Sequence, residues 1–214
     1  MEAREKIAKR IAKELRDGDV VNLGIGMPTL VADYIPADIK IILQSENGLL
    51  GMGSSVSEDG DMNIVNAGGR PVAVNTGACF FDSATSFAII RGGHVDLTVL
   101  GALQVDESGS IANHIIPGKM VPGMGGAMDL LTGSKKVIAA MTHTAKGDTA
   151  KIMQKLTLPI TAVSKVNMII TELAVIEVLL NKLILREVAE ESSVEEVRQL
   201  TEAPLTICDS VRTF

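Results

Sequence analysis

The sequence has no tryptophan, one tyrosine and four phenylalanines, so aromatic side chains make up 2% of its 214 residues. Any core must be built from Val, Ile, Leu, Met and Ala, and a hydrophobic content of 46% supplies enough of them. The ten methionines are expected to fill gaps in such a core rather than to form a binding surface. Cysteine is scarce. Cys79 and Cys208 are too few and too far apart for a disulfide framework or a C-x-x-C metal site, which fits a reducing cytosol. Surplus positive charge is missing too. A formal charge of −6 argues against nucleic acid as the main partner, because a phosphate-binding face needs excess Lys and Arg. No uninterrupted apolar run reaches membrane-spanning length. The opening MEAREKIAKRIAKEL is charged throughout and lacks the apolar centre of a signal peptide. The expectation is a cytoplasmic protein with no membrane or nucleic-acid partner.

What is present alternates between strand and helix patterns. Residues 2–16 read as a helix, with Ile7, Ile11 and Leu15 on one face and Asp17-Gly18-Asp19 as its stop. VVNLGIGMP reads as a strand running into a glycine turn, with Pro28 opening a helix over TLVADYI. IKIILQ and PVAVN read as strands, separated by a Gly-, Ser-, Asp- and Asn-rich loop over 48–69 with short strands in it. SATSFAIIR, residues 83–91, predicts a helix closed by Gly92-Gly93. HVDLTVLGALQVD contains a long β-branched strand, and 107–128 reads as irregular. KKVIAAMT is a strand, AKGDTAKIMQKL a short helix, and VNMIITELAVIEVL a pair of strands. The chain closes on a helix capped by Ser193 with Glu196 three residues on. The pattern predicts an α/β fold, an open mixed sheet with flanking helices, in one domain over 1–214.

Three glycine-rich stretches are placed at the carboxyl ends of strands, where open α/β sheets bind ligands: NLGIGMP, QSENGLLG and PGKMVPGMGGAMD. Glycines let a backbone approach a ligand and turn its N–H groups inward, as an oxyanion or a phosphate requires. Each has a plainer reading. Asn47-Gly48 is a strong hairpin signal, with Glu46 as its solvated flank. Gly24-Ile25-Gly26 lacks the third glycine of a dinucleotide fingerprint, and Gly123 to Gly126 lacks the Lys-Ser/Thr of a P-loop. Lys119 is either a solvated loop residue or a point charge for a phosphate. His94, His114 and His143 show no metal-ligand spacing and read as structural; no metal site is expected.

Taken together and in this order, VNLGIGMPTLVADYIP, QSENGLLGMG, VNAGG, FFDSATSFAIIRGGHVDLTVLGALQVDESGSIAN, IPGKMVPGMGGAMDLLTGSKKVI and LPITA resemble the β subunit of class I 3-oxoacid CoA-transferases. The likeness is to the acetate/butyrate–acetoacetate and succinyl-CoA:3-ketoacid types, and it runs from about Arg4 to the C-terminal helix. It implies a CoA-transferase α/β fold and Glu46 as nucleophile. It also implies an α subunit that completes the site, in an α2β2 or similar hetero-oligomer, because this chain is too short for both halves.

The implied chemistry accounts for a glutamate behind a strand. Glu46 attacks an acyl-CoA, giving an acyl-glutamyl anhydride and then a glutamyl-CoA thioester, and a short-chain carboxylic acid reverses the steps. No cofactor is needed, since the CoA thioester is itself a substrate. The family pattern places a backbone donor to the oxyanion at Gly126, beside Gly125. It also places Asn22 at the substrate site, and Gly24, Gly26, Asn47, Gly48, Lys119 and Gly125 are taken as further contacts to substrate or CoA. Two positions depart from some members. Gly69-Arg70 stands where some carry Lys, which bears on a basic contact to substrate. His114 lies where many carry Trp, which bears on the acyl pocket. An acyl-CoA hydrolase using the same glutamate, or a non-catalytic acyl-CoA-binding module, is the alternative. A sugar-phosphate isomerase would want a base near a phosphate loop, and none is evident.

Overall fold

Ile7, Ala8, Ile11 and Ala12 form one fully buried stripe, and it makes residues Ala3–Ala12 a helix, α1, laid on a sheet. The computed structural model describes residues 1–56, 60–119 and 123–214. Parts of the loop 48–69 and of the irregular stretch 107–128 therefore lie outside the described residues. After α1 come β1 (Val20–Leu23), a 3-10 helix (Met27–Tyr34), β2 (Ile42–Ser45), β3 (Leu49–Ser55), β4 (Val72–Phe80) and α2 (Ser83–Arg91). The middle of the chain holds β5 (Leu97–Gly101), β6 (Gln104–Asp106), β7 (Ile111–Ala112), α3 (Ala127–Gly133) and β8 (Lys136–Ala140). Then follow β9 (Thr144–Ala145), β10 (Thr149–Ala150), β11 (Ile152–Met153), β12 (Met168–Ile170), β13 (Ala174–Leu179) and β14 (Lys182–Val188). The chain ends with α4 (Val194–Gln199) and β15 (Leu205–Thr213).

Ten strands form one mixed sheet in the order β15-β14-β13-β12-β8-β5-β1-β2-β3-β4. Its centre, β12-β8-β5-β1-β2, is parallel, and antiparallel pairs extend it on both sides. The strand order reverses at β1: the chain first builds outward through β2 to β4, then returns to lay β5 on the other side. Such a reversal opens a crevice at the carboxyl ends of the strands.

Alternation along the buried strands separates two cores. Ile138, Ala140 and Ile170 face α1 and the 3-10 helix, while Val137, Ala139 and Ile169 face the other layer, where α2, α3 and α4 pack. The largest fully buried side chains are Ile and Leu, with Met141, as the lack of aromatics requires. The lone Tyr34 closes the 3-10 helix and packs against the α1 side. No helix among the described residues is long and apolar enough to cross a membrane.

Several elements differ from the expectation. Residues 145–156 contain β10 and β11 instead of a helix. Gly147 and Asp148 both take positive φ, 74° and 54°, and turn the chain tightly between β9 and β10. The long strand expected over 94–106 is two strands in different sheets, β5 in the large one and β6 between β7 and β11. The helix over 29–35 is 3-10 in character. Ser193 does cap α4, its hydroxyl accepting from Glu196 N at 3.1 Å, but β15 follows it and forms the sheet edge. Met141 and Met153 fill the core as expected, whereas Met62, Met124 and Met128 are exposed.

His143 is fully buried, its ring nitrogens each 3.0 Å from the hydroxyls of Thr171 and Thr201. Burial, with the Lys151 charge adding to it, pushes its pKa down to about 4. The unfolded chain takes up this proton near the ordinary value and the folded chain resists it. Stability is therefore expected to fall as pH drops from about 6.5 to about 4, by roughly 3 kcal/mol in all. Urea midpoints across that window, compared with those of His143→Gln, measure it: the variant should lose this part of the slope.

Candidate active site

Glu46 stands at the carboxyl end of β2, the first residue of the turn Glu46-Asn47-Gly48 that returns the chain into β3. The hairpin reading of Asn47-Gly48 is thus correct, yet Glu46 is half-buried and not a solvated flank. Three side chains of QSEN anchor the turn. Gln44 Oε1 accepts from Asn22 Nδ2 at 2.7 Å, Ser45 Oγ accepts from Ala67 N at 2.9 Å, and Asn47 Nδ2 donates to Val65 O at 2.7 Å. Gly48 has φ 115°, and a Cβ there would run into the carbonyl of Phe81, so only glycine seats the turn against the segment leading into α2. Glu46 alone of the four directs its side chain elsewhere. Its Oε1 accepts from the backbone N–H of Gly126 at 3.4 Å.

Gly126 is the residue before α3, and it reaches Glu46 because nothing protrudes from it. A Cβ at Gly126 would overlap Glu46 Oε2 and come within 3.0 Å of both Glu46 Cδ and Phe87 Cε1. Gly125, with φ 54°, turns the loop toward the same carboxylate, 3.4 Å from its Oε1 to a Cβ placed there. The third glycine stretch therefore meets the carboxylate from across the crevice, although it does not itself follow a strand of the large sheet.

The other expected residues take different places. Asn22, at the carboxyl end of β1, is buried and gives both its amide hydrogens to Gln44, at Oε1 and at the backbone carbonyl, 3.1 Å away. Gly24 uses its N–H on Val99 O at 2.8 Å; a Cβ there would press on Leu100, so Gly24 supplies close strand packing and not a free donor. Gly26, φ 89°, opens the 3-10 helix with free space around it. Lys119 is exposed, and its ammonium makes no hydrogen bond or ion pair among the described residues. Arg70 is exposed on the Asn66 turn, and buried His114 bonds Thr161 at 2.9 Å. Three neighbours were not anticipated: Gln44, Ser86 and Phe87. The signal was there for Ser86, which shares the buried face of α2 with Ile90 four residues on.

A half-buried carboxylate thus sits under a backbone N–H at the mouth of an α/β crevice. The profile of the family described as Coenzyme A transferase matches residues 4–200. The chain belongs to this family, and it is an enzyme of CoA transfer. It is 55% identical to the beta subunit of the acetate CoA-transferase of Escherichia coli (strain K12), covering 100% of this chain and 98% of that one. Identity to one subunit of the probable succinyl-CoA:3-ketoacid coenzyme A transferase of Bacillus subtilis (strain 168) is 47%, over 98% of both chains. Among solved structures, an acyl-CoA transferase of E. coli O157:H7 in thioester complex with CoA superposes with a TM-score of 0.77 at 22% identity, which speaks for the fold. This chain is fully covered there and spans 43% of that longer chain.

Proposed function

We propose that the chain is the β subunit of a hetero-oligomeric CoA-transferase that moves CoA between short-chain acyl- or 3-oxoacyl-CoA and a free carboxylic acid. Glu46 is its nucleophile. The observation that carries this is the Glu46 carboxylate held at the end of β2 under the Gly126 N–H. In the first step a Glu46 oxygen bonds to the acyl carbonyl carbon and the C–S bond breaks, releasing CoA thiolate and leaving an acyl-glutamyl anhydride. The thiolate then attacks the glutamyl carbonyl and expels the first acid as its carboxylate, leaving a glutamyl-CoA thioester. An acceptor carboxylate reverses both steps, and no proton is gained or lost overall. Each addition puts negative charge on an oxygen, and Gly126 N–H is the donor this chain aims there.

The second donor and the far wall of the site belong to an α subunit, most simply in an α2β2 assembly. The names of the relatives, each given as one subunit of its enzyme, support a partner. So does apolar surface on segments bordering the site: Ile25 is 70% exposed, and Phe80, Met124 and Met128 are exposed too. Closing that side excludes water, which would hydrolyse anhydride and thioester. We take residues 1–214 as one domain, since one continuous sheet joins β4 to β15. The two free cysteines suit a cytoplasmic setting.

Intact mass spectrometry tests the reading. The chain assembled with its partner and given acetoacetyl-CoA, without acceptor acid, is expected to carry a CoA adduct on the Glu46 peptide that acetate or succinate removes. The chain alone should form none. Steady release of free CoA without any acid would instead mark a hydrolase.

A further inference from the structure

Beneath the turn lies a buried polar chain, two members of which, Gln44 and Ser86, have no part in the chemistry above. Gln44, Ser86 and Asn22 are 1%, 0% and 4% exposed. Gln44 Nε2 donates to Ser86 Oγ at 3.1 Å, while Gln44 Oε1 holds Asn22. Buried amides without partners are costly, so this chain fixes the end of β2 to β1 on one side and to α2 on the other. The path continues from α2 to α3. Phe87, next to Ser86, places its ring edge against Gly126. Arg91, one turn further on, lies 5.7 Å over that ring and bonds Asp129 of α3 through Nε at 2.6 Å. Glu46 and Gly126 are 80 residues apart in sequence, and they meet through this loop of contacts.

We infer that Gln44 and Ser86 are positioning residues for the covalent step, setting the distance between the Glu46 carboxylate and the Gly126 N–H by locking α2 to the end of β2. They act through Glu46 and Gly126 and touch no substrate. This rests on Glu46 being the nucleophile. Small misplacements of reacting groups slow chemistry steeply while leaving remote binding contacts alone.

The test uses the chain assembled with its partner, acetoacetyl-CoA as donor and acetate as acceptor. Gln44→Met keeps size and removes the amide; Ser86→Ala removes only the acceptor oxygen and serves where Gln44→Met fails to fold. Each is expected to lower kcat and the rate of adduct formation about 10- to 100-fold, with KM changed less than about twofold. The double variant should be no slower than the worse single one, because both break the same bond. Ser86→Thr, which restores an acceptor, should recover most of the rate. Variants that melt earlier but keep wild-type kcat at a temperature where they are folded overturn the inference, as does a loss confined to KM. Glu46→Ala in parallel separates the two claims. If it still forms the adduct, the nucleophile reading falls. If it forms none while Gln44→Met and Ser86→Ala react normally, only the positioning claim falls.

Discussion

Replacing Glu46 by Gln is expected to lower CoA transfer by at least about 10⁴-fold, the scale seen when a covalent nucleophile is removed. The amide has the shape of the carboxylate but cannot attack an acyl-CoA carbonyl. Stability should hardly move. Glu46 is half-buried and, among the described residues, its carboxylate accepts one hydrogen bond, from Gly126 N–H and long at 3.4 Å, so the change should fall within about 0.5 kcal/mol. Glu46→Asp makes a finer point. It keeps the charge and draws it back from Gly126 by one methylene, a displacement on the order of 1 Å that costs about 100-fold. Initial rates with the partner present, beside a thermal melt of each variant, decide the matter. More than about a tenth of the wild-type rate in Glu46→Gln would mean that the turn is only a turn.

Gly126→Ala is the second large effect, and its origin is steric. Gly126 has φ −83°, a backbone that any residue adopts. The added methyl group would fall on the Glu46 carboxylate and on the edge of Phe87. The carboxylate is the softer neighbour and should be pushed off the N–H. Turnover is expected to drop about 10²- to 10³-fold, comparable to losing one oxyanion donor, with a modest change in melting. Gly125→Ala supplies the contrast. Its φ of 54° strains an alanine, while its methyl would sit 3.4 Å from Glu46 Oε1, in ordinary contact. That variant should lose about 1 kcal/mol of stability and far less rate. Paired kcat and urea-midpoint measurements separate the two glycines. Equal rates for both variants would show that Gly126 is not the donor.

The helix over Ser83–Arg91 is legible to the residue, because SATSFAIIR carries helical spacing and Gly92-Gly93 closes it; the Asp82 cap is seen only in the structure. Glu46 and Gly126 came from the resemblance of whole motifs; spacing alone left Glu46 as a turn residue. What stayed hidden depends on distant partners. Residues 145–156 carry a helix-like spread of apolar and charged positions, yet Ile152 and Met153 are buried side by side because β6 pairs with them. The edge strand β15 is only partly buried and is defined by parallel pairing with β14, to which it is joined through α4. Gln44 looked like the polar end of an apolar strand. That its amide is shared between Asn22 and Ser86 is a fact of three dimensions.

A chain with one tyrosine, Tyr34, and no tryptophan has an optical consequence. The polypeptide is almost transparent in the near ultraviolet, while the adenine of CoA absorbs strongly there. Separated from its partner under denaturing, mildly acidic conditions, a chain carrying the thioester would show the spectrum of its passenger more than its own. Absorbance ratios across the eluting peak would then count occupied sites directly, with no label introduced.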